Sequence, residues 1–333
     1  MVLDGPGARL RLEERAIPAP GEGRIRVRVH TTALCRTDLH IREGALTEAS
    51  FPLVLGHQIV GRVDALGPGV TRPRIGERVG VPWLGGTCGT CGHCLGHREN
   101  LCDGARFTGY HLDGGLADHV LCDPGFCLPI PRGFGDAEAA PLLCAGLIGF
   151  RALNLAGPAR RIGLVGFGAA AHIVAQVILH RGQEFYAFTR PGDRAAIAHA
   201  EALGATWAGG LDESPGVLLD AVLVFAPRGE AVPRALELVD KGGSVILGGI
   251  HMSEIPPMRY ELLWGERVLR SVANLTRADG EDFMRVAEEL PIITTVTPMP
   301  LEAANDALDE MRAGKLKGAA VLVPDLPEPA ALA

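Results

Sequence analysis

The sequence predicts an α/β protein of two domains, a β-rich, barrel-like unit first and a doubly wound parallel sheet after it. Three observations carry this reading. Short segments of period-two alternation set among Gly/Pro turns fill the first part of the chain. From about Phe150 onward, strand-length apolar runs alternate with helix-length stretches, the pattern of β/α units around a parallel sheet. A length of 333 residues matches two domains, each able to bury a core.

Taken in order, 24–29 alternates Arg with Ile25, Val27 and Val29 and predicts a half-buried strand. Segments 60–63 and 78–81 read the same way, with turns at Gly67-Pro68-Gly69 and Thr71-Arg72-Pro73 between them. In the second part, strands are expected at 161–165, 184–188, 218–225 and 243–247, and helices at 169–179, 193–203 and 231–238. A helix at 301–311 leads to a last strand at 319–323, and the Pro/Ala-rich segment from Pro324 is expected to be loosely held.

Composition excludes several classes. The 44 Gly and 24 Pro make about one residue in five a backbone punctuator, yet 47% hydrophobic and 21% charged residues with no persistent repeat argue against disorder. Thirty-two Lys and Arg against 39 Asp and Glu give a net charge of −7. A chain without a basic block lacks the electrostatic footprint of a nucleic-acid binder. No apolar run reaches the ~18 residues of a membrane span, and the N-terminal stretch carries acids without the apolar core of a signal peptide. A cytoplasmic protein with neither nucleic acid nor membrane as partner is expected.

Four of the eight cysteines fall between Cys88 and Cys102. Cys88, Cys91, Cys94 and Cys102 have two, two and seven residues between them, and in a reducing compartment such clustering favours metal over disulfides. Gly89 and Gly92 are expected to let the loop wrap one tetrahedral ion. Four thiolates leave no open position, so a zinc held there is structural. An iron–sulfur cluster would take the same ligands, and reduced or disulfide-paired cysteines are the remaining alternative. His93 and His97 read as surface residues of the loop, and Cys122 and Cys127 receive no metal role.

Further motifs are spread along the chain. Cys35 opens Cys-Arg-Thr-Asp-Leu-His40, His57 follows Gly56, and Cys144 precedes Ala145-Gly146. Each alone reads more readily as a buried core residue than as a ligand. Gly166-Phe-Gly168-Ala-Ala-Ala171 follows a predicted strand and opens a predicted helix. There Gly166 permits the tight turn, Gly168 admits a pyrophosphate close to the backbone, and Ala171 lets the helix pack on the strand. Free N–H groups at the helix start favour the phosphates.

In that order, from about Ile25 to Val323, these motifs resemble the zinc-dependent medium-chain alcohol dehydrogenases. The resemblance implies a GroES-like catalytic domain over 1–146, completed by 276–333, and a Rossmann domain over 147–275. It implies that Cys35, His57 and Cys144 hold a catalytic zinc with its fourth position open to substrate oxygen. Asp38 would orient His57 from behind. Thr37 and His40 would relay the alcohol proton to solvent through the cofactor ribose, the imidazole suiting the last step because it titrates near neutrality. Two zinc ions per chain follow. The chain departs from the family pattern at Gln58, where many relatives have Glu, and at Ala319 after Lys317-Gly318, where many have Arg. The first change should leave the zinc site more positive.

The second predicted strand of the Rossmann unit ends at Thr189 and not at the acid that NAD-specific versions place there. Arg190 follows at once and Arg194 soon after. A Thr-Arg pair can bind a 2′-phosphate by hydrogen bond and charge, so NADP(H) is expected over NAD(H). Arg36 is expected to add a cation for the pyrophosphate. Trp83 and Ile148 match positions that wall the substrate cleft in relatives, which gives an apolar cleft for primary alcohols and their aldehydes. The alternatives are another medium-chain enzyme, a polyol dehydrogenase or quinone reductase, and a redox sensor that binds NADP(H) without turnover. Analogy with the family also implies a homodimer or homotetramer built on the nucleotide domain.

Overall fold

The computed structural model describes residues 1–316 and 318–324. Lys317 and the tail expected to be loosely held, from residue 325, lie outside the described residues. The chain divides into two compact units. The first comprises Met1–Cys144, Thr276–Glu288 and the segment from Ile293, and the second comprises Ala145–Leu275 and Glu289–Ile292. The break falls just before the sequence-based boundary because a helix begins at Ala145.

After a short strand at Val2–Leu3, the main elements of the first part are β1 (Ile25–Ala33), α1 (Arg36–Arg42), β2 (Ile59–Leu66), β3 (Arg78–Val81), α2 (Gly92–Leu95), β4 (His119–Cys122) and β5 (Leu128–Pro129). The second unit holds α3 (Ala145–Leu155), β6 (Arg161–Val165), α4 (Ala169–His180), β7 (Glu184–Thr189), α5 (Arg194–Ala202), β8 (Trp207–Gly210), β9 (Leu219–Val224), α6 (Ala231–Leu238), β10 (Val239–Leu247) and β11 (Val268–Ser271). Then follow α7 (Arg277–Glu289), β12 (Val296–Pro300), α8 (Ala304–Arg312) and β13 (Ala319–Val323).

In the first unit, seven strands form one sheet in the order β12-β13-β1-β2-β3-β5, with β4 also paired to β1. Only β12 and β13 run parallel. Alternation in β1 does what its sequence implies: Ile25, Val27 and Val29 are fully buried, while Arg26, Arg28 and His30 face the half-buried side. Ile59, Val63, Val79 and Val81 pack with them, each such side chain stabilising the fold by roughly 1.5–3 kcal/mol.

In the second unit, six parallel strands take the order β8-β7-β6-β9-β10-β11. This is the doubly wound arrangement whose order reverses between β6 and β9, the point at which such sheets open a ligand crevice. Val165, Phe188, Val222, Val224, Leu236 and Val245 form its core. The GroES-like and Rossmann architectures expected from the sequence are thus both present.

Some elements differ from the sequence reading. The strand expected at 243–247 begins earlier, at Val239, because Gly242-Gly243 breaks the apolar run without ending the ladder. The helix expected at 301–311 starts with a 3-10 turn over Leu301–Ala303. Among the described residues, no single helix is long and apolar enough to cross a membrane.

Candidate active site and metal centres

The cysteine–histidine cluster of the first unit, with His57 buried and Cys35 and Cys144 half-buried, starts at the turn from β1 into α1. Cys35 caps α1, and Asp38 folds back so that its Oδ2 accepts the Cys35 amide at 2.8 Å. The same carboxylate, with no exposed surface, accepts the Gly56 amide at 3.1 Å and stands 3.3 Å from His57 Nδ1. One side chain therefore fixes the start of α1 and the Gly56-His57 segment together. Cys144 follows a 3-10 turn at Ala140–Leu143, and its Sγ lies 3.8 Å from Cys35 Sγ. One donor atom from each of Cys35, His57 and Cys144 falls within 4.8 Å of the other two.

Two observations test whether this set fits a metal. Among the described residues, His57 Nε2 is buried without a hydrogen-bond partner and Nδ1 has the Asp38 carboxylate at 3.3 Å, so Nε2 is in a costly state unless another ligand is supplied. The thiols also cannot both ionise without a cation. The Cys144 hydrogen bond pulls the Cys35 thiol well down against the penalty of burial, and the Cys35 thiolate together with burial pushes Cys144 well up. Burial disfavours the His57 imidazolium, but Asp38 and Cys35 outweigh it and raise the group to about 10. A divalent cation would replace these shared protons, and two sulfurs with one imidazole nitrogen are a donor set suited to zinc.

Around the cluster, Thr37 is buried with its Oγ1 3.6 Å from Cys35 Sγ. His40 lies one turn further along α1, half-buried, and Arg36 is exposed at the start of that helix. Gln58 is buried and its Nε2 donates to the Ala33 carbonyl at 3.1 Å, so the amide ties down the end of β1. Trp83 presents its edge to His57, with ring centres 4.7 Å apart, and stacks on Phe107 and Tyr110 at 5.2 and 5.7 Å. Phe107 and Tyr110 were not indicated by the sequence, since nothing in their spacing ties them to Trp83. Ile148 sits half-buried on α3 of the second unit, and Ala319 opens β13.

The four-cysteine lobe is assembled differently. Cys91 and Cys88 Sγ both lie near Cys94 Sγ, at 3.6 and 3.9 Å, and all four sulfurs fall within 4.8 Å of one another. The Cys91 amide donates to Cys88 Sγ at 3.3 Å, and the Cys88 amide to Cys102 Sγ at 3.5 Å. Gly89 supplies the left-handed turn with φ 73°. Gly92, expected to act likewise, instead opens α2 in helical conformation. Backbone N–H groups of Thr90 and Cys91 hold the exposed Cys88 thiol at about 6. The Cys88 amide also pulls Cys102 down, but desolvation and the neighbouring thiolate outweigh it and leave that group at about 11. Four convergent sulfurs of this kind also fit zinc. Beside the lobe, the buried Glu99 accepts the Arg277 amide at 2.8 Å and its Nε at 3.3 Å. Cys122 and Cys127 are free thiols with sulfurs 3.5 Å apart, separate from both clusters.

In the second unit, a cleft of about 390 Å³ opens at the C-terminal ends of β6, β7 and β9, with Gly166, Thr189, Arg190, Asp212 and Arg228 in its walls. Gly166 has φ 86°, and a Cβ there would strike the Ala226 amide at 2.8 Å, so the turn requires glycine. The space over Gly168 is open to at least 4 Å, and Ala171 is fully buried. Thr189 differs from expectation: it is buried, and its hydroxyl faces the carbonyls of Gly209 and Arg190 at 3.2 and 3.1 Å. A hydroxyl whose proton serves the backbone has none to donate to a phosphate. Arg190 is exposed, with Asp193 at 3.6 Å.

A GroES-like unit joined in one chain to a Rossmann unit defines the class as a medium-chain dehydrogenase. The alcohol dehydrogenase GroES-like domain family matches residues 21–132. The probable alcohol dehydrogenase AdhA of Mycobacterium tuberculosis is 42% identical over 315 residues, covering 92% of this chain and 90% of that protein. With that similarity, the chain belongs to the medium-chain alcohol dehydrogenase family. Among solved structures, the cobalt- and zinc-bound thermostable alcohol dehydrogenase of Pyrobaculum aerophilum is 25% identical with a TM-score of 0.86, covering 97% of this chain and 98% of that one. The fold is shared too with the CAD of Helicobacter pylori complexed with NADP(H), 20% identical with a TM-score of 0.86 over 97% and 96% of the two chains.

Proposed function

We propose that the protein is a zinc-dependent alcohol dehydrogenase or aldehyde reductase that interconverts primary alcohols and aldehydes with NADP(H) in preference to NAD(H). The observation that carries this reading is the convergence of Cys35, His57 and Cys144, whose donor atoms lie within 4.8 Å of one another while the buried His57 Nε2 lacks a hydrogen-bond partner among the described residues. The names of the relatives, alcohol dehydrogenases, support the alcohol dehydrogenase part of this reading. Cys35, His57 and Cys144 hold the catalytic zinc, and Cys88, Cys91, Cys94 and Cys102 the structural one. Zinc at the first site supplies Lewis acidity to the substrate oxygen. The nicotinamide supplies the hydride acceptor or donor.

The chain's own groups do the rest. Thr37 Oγ1, beside Cys35 Sγ, takes the hydroxyl proton of the alcohol on a lone pair while passing its own proton on along the relay that ends at His40. His40 passes a proton to solvent. Asp38 keeps a proton on His57 Nδ1 and leaves Nε2 as the donor. Gly166, Gly168 and the start of α4 receive the pyrophosphate, and Arg190 supplies the charge for a 2′-phosphate. Thr189 positions the end of β7 and does not itself donate.

A homodimer or homotetramer built on the second unit fits its open edge: Val268 on β11 and the nearby Tyr260 and Trp264 are exposed. Sedimentation of the purified protein reads the assembly. The central test is metal analysis beside an NADPH-oxidation assay over an aldehyde panel. Two zinc ions per chain with turnover support the enzyme. NADPH binding without turnover on any carbonyl sinks it in favour of a sensor.

A further inference from the structure

Asp212 stands on a tightly held loop at the end of β8, in the wall of the nucleotide cleft. In the parallel ladder, Thr189 of β7 is level with Gly210 of β8, and the Leu211 amide donates to the Thr189 carbonyl at 3.1 Å. Arg234 of α6 fixes the loop from the other side, its Nε donating to Leu211 O at 3.0 Å and its Nη2 to Glu213 O at 2.8 Å. The Glu213 carboxylate accepts the Gly210 amide at 3.0 Å. These bonds bracket Asp212 on both sides and hold it beside β7. A Cβ on Gly210 would run into Asp212 Oδ1 and would meet Pro191 Cα at 3.5 Å. The Asp212 carboxylate and Pro191 therefore lie on the same side of Gly210, and with Arg190 they wall one cleft, at the strand end where doubly wound sheets receive the adenosine ribose.

Chemistry at this point is a contest between opposite charges. A carboxylate accepts hydrogen bonds from a ribose 2′-hydroxyl and repels a 2′-phosphate, while a guanidinium attracts the phosphate. We propose that Asp212 is a specificity-determining residue which supplies, from the neighbouring strand, the acid that β7 lacks. The cleft then discriminates between the two nicotinamide dinucleotides by the balance of Arg190 against Asp212, and Arg190 alone does not decide it. This rests on the nucleotide-binding reading of the cleft, although not on which dinucleotide the wild type prefers. Asp193, 3.6 Å from Arg190, draws the same guanidinium from its other side and is common to every variant below.

The test is fluorescence titration of the full-length, zinc-loaded protein with NADPH and with NADH, repeated at low and high salt. Asp212→Asn should tighten NADPH by about three- to tenfold, with the gain shrinking as salt screens the charge, and should weaken or leave unchanged the binding of NADH. Asp212→Ser must reproduce the shift, which separates loss of charge from loss of a particular side chain. Arg190→Ser should move the NADPH-to-NADH ratio the opposite way. A ratio that changes less than twofold in both Asp212 variants overturns the assignment. Should the wild type bind NADH more tightly while the variants still shift, the NADP(H) preference falls and the role of Asp212 stands.

Discussion

Cys88, Cys91, Cys94 and Cys102 meet within one short loop, whereas Cys35, His57 and Cys144 come from three separate parts of the first unit and converge in its interior. The lobe is largely exposed, and its thiolates are steadied by amides of the same loop. The interior cluster sets a buried His57 between two half-buried cysteines and balances charge by sharing protons between two thiols and an imidazole. A site that closes locally can be formed with its loop, so metal bound there contributes to folding of that loop. One that needs three distant segments presupposes the folded unit, so metal bound there would add less to folding and be available for the chemistry proposed above.

The contrast can be broken most directly at Cys144. Cys144→Ser should reduce kcat/KM by about a thousandfold or more, roughly 4 kcal/mol of activation free energy, while metal analysis falls to one ion per chain and Tm changes little. Equal loss of Tm and activity would show that the interior site also bears on folding. Cys91→Ser should do the converse: one ion is lost, Tm falls by about 5 °C or more, and kcat/KM of the surviving fold stays close to wild type. Asp38→Asn keeps the shape behind His57 but removes its charge, and competition with a zinc chelator should show affinity at one site down by about 10–100-fold. The other site should be unaffected.

The smallest effect belongs to the tether between the lobe and α7. Burial pushes the Glu99 carboxyl up, but the Arg277 amide and guanidinium outweigh it and hold it below its ordinary value of 4.5. The folded state therefore prefers the carboxylate, whose stabilisation is complete above that pH and lost as the pH falls through the folded value. Glu99→Gln should cost about 1 kcal/mol near neutrality and remove that part of the acid dependence of Tm. Activity should persist.

Legibility followed the same divide. The lobe could be read from spacing because its ligands are neighbours in sequence, and β1 because its Arg/Val alternation maps directly onto one buried face. The interior cluster could not be read from spacing; only the order of several motifs pointed to it. Asp212 gave no signal, since β8 (Trp-Ala-Gly-Gly) has two glycines and no apolar alternation. For β11 the reason is exposure: an edge strand with no fully buried position carries no pattern to detect. In α7, charged residues and Gly280 mask the few buried positions, Phe283, Met284 and Ala287. At Thr189 the residue type was compatible with a phosphate, but the direction of its hydroxyl depends on a strand pairing that a local reading does not contain.

The sheet of the first unit has β13, near the end of the described chain, lying against β1, near its start, with Val321 opposite Ala33. The Leu34 amide, immediately before Cys35, donates to the Ala320 carbonyl at 2.8 Å. A ribosome thus delivers every strand of the second unit before the segment that anchors the backbone at Cys35 has emerged. The nucleotide unit can fold while the polypeptide is still being made, but the interior metal site is completed only by the last strand. Incomplete translation products that stop before Ala319 would then carry the parallel sheet of the second unit without the backbone anchor at Cys35.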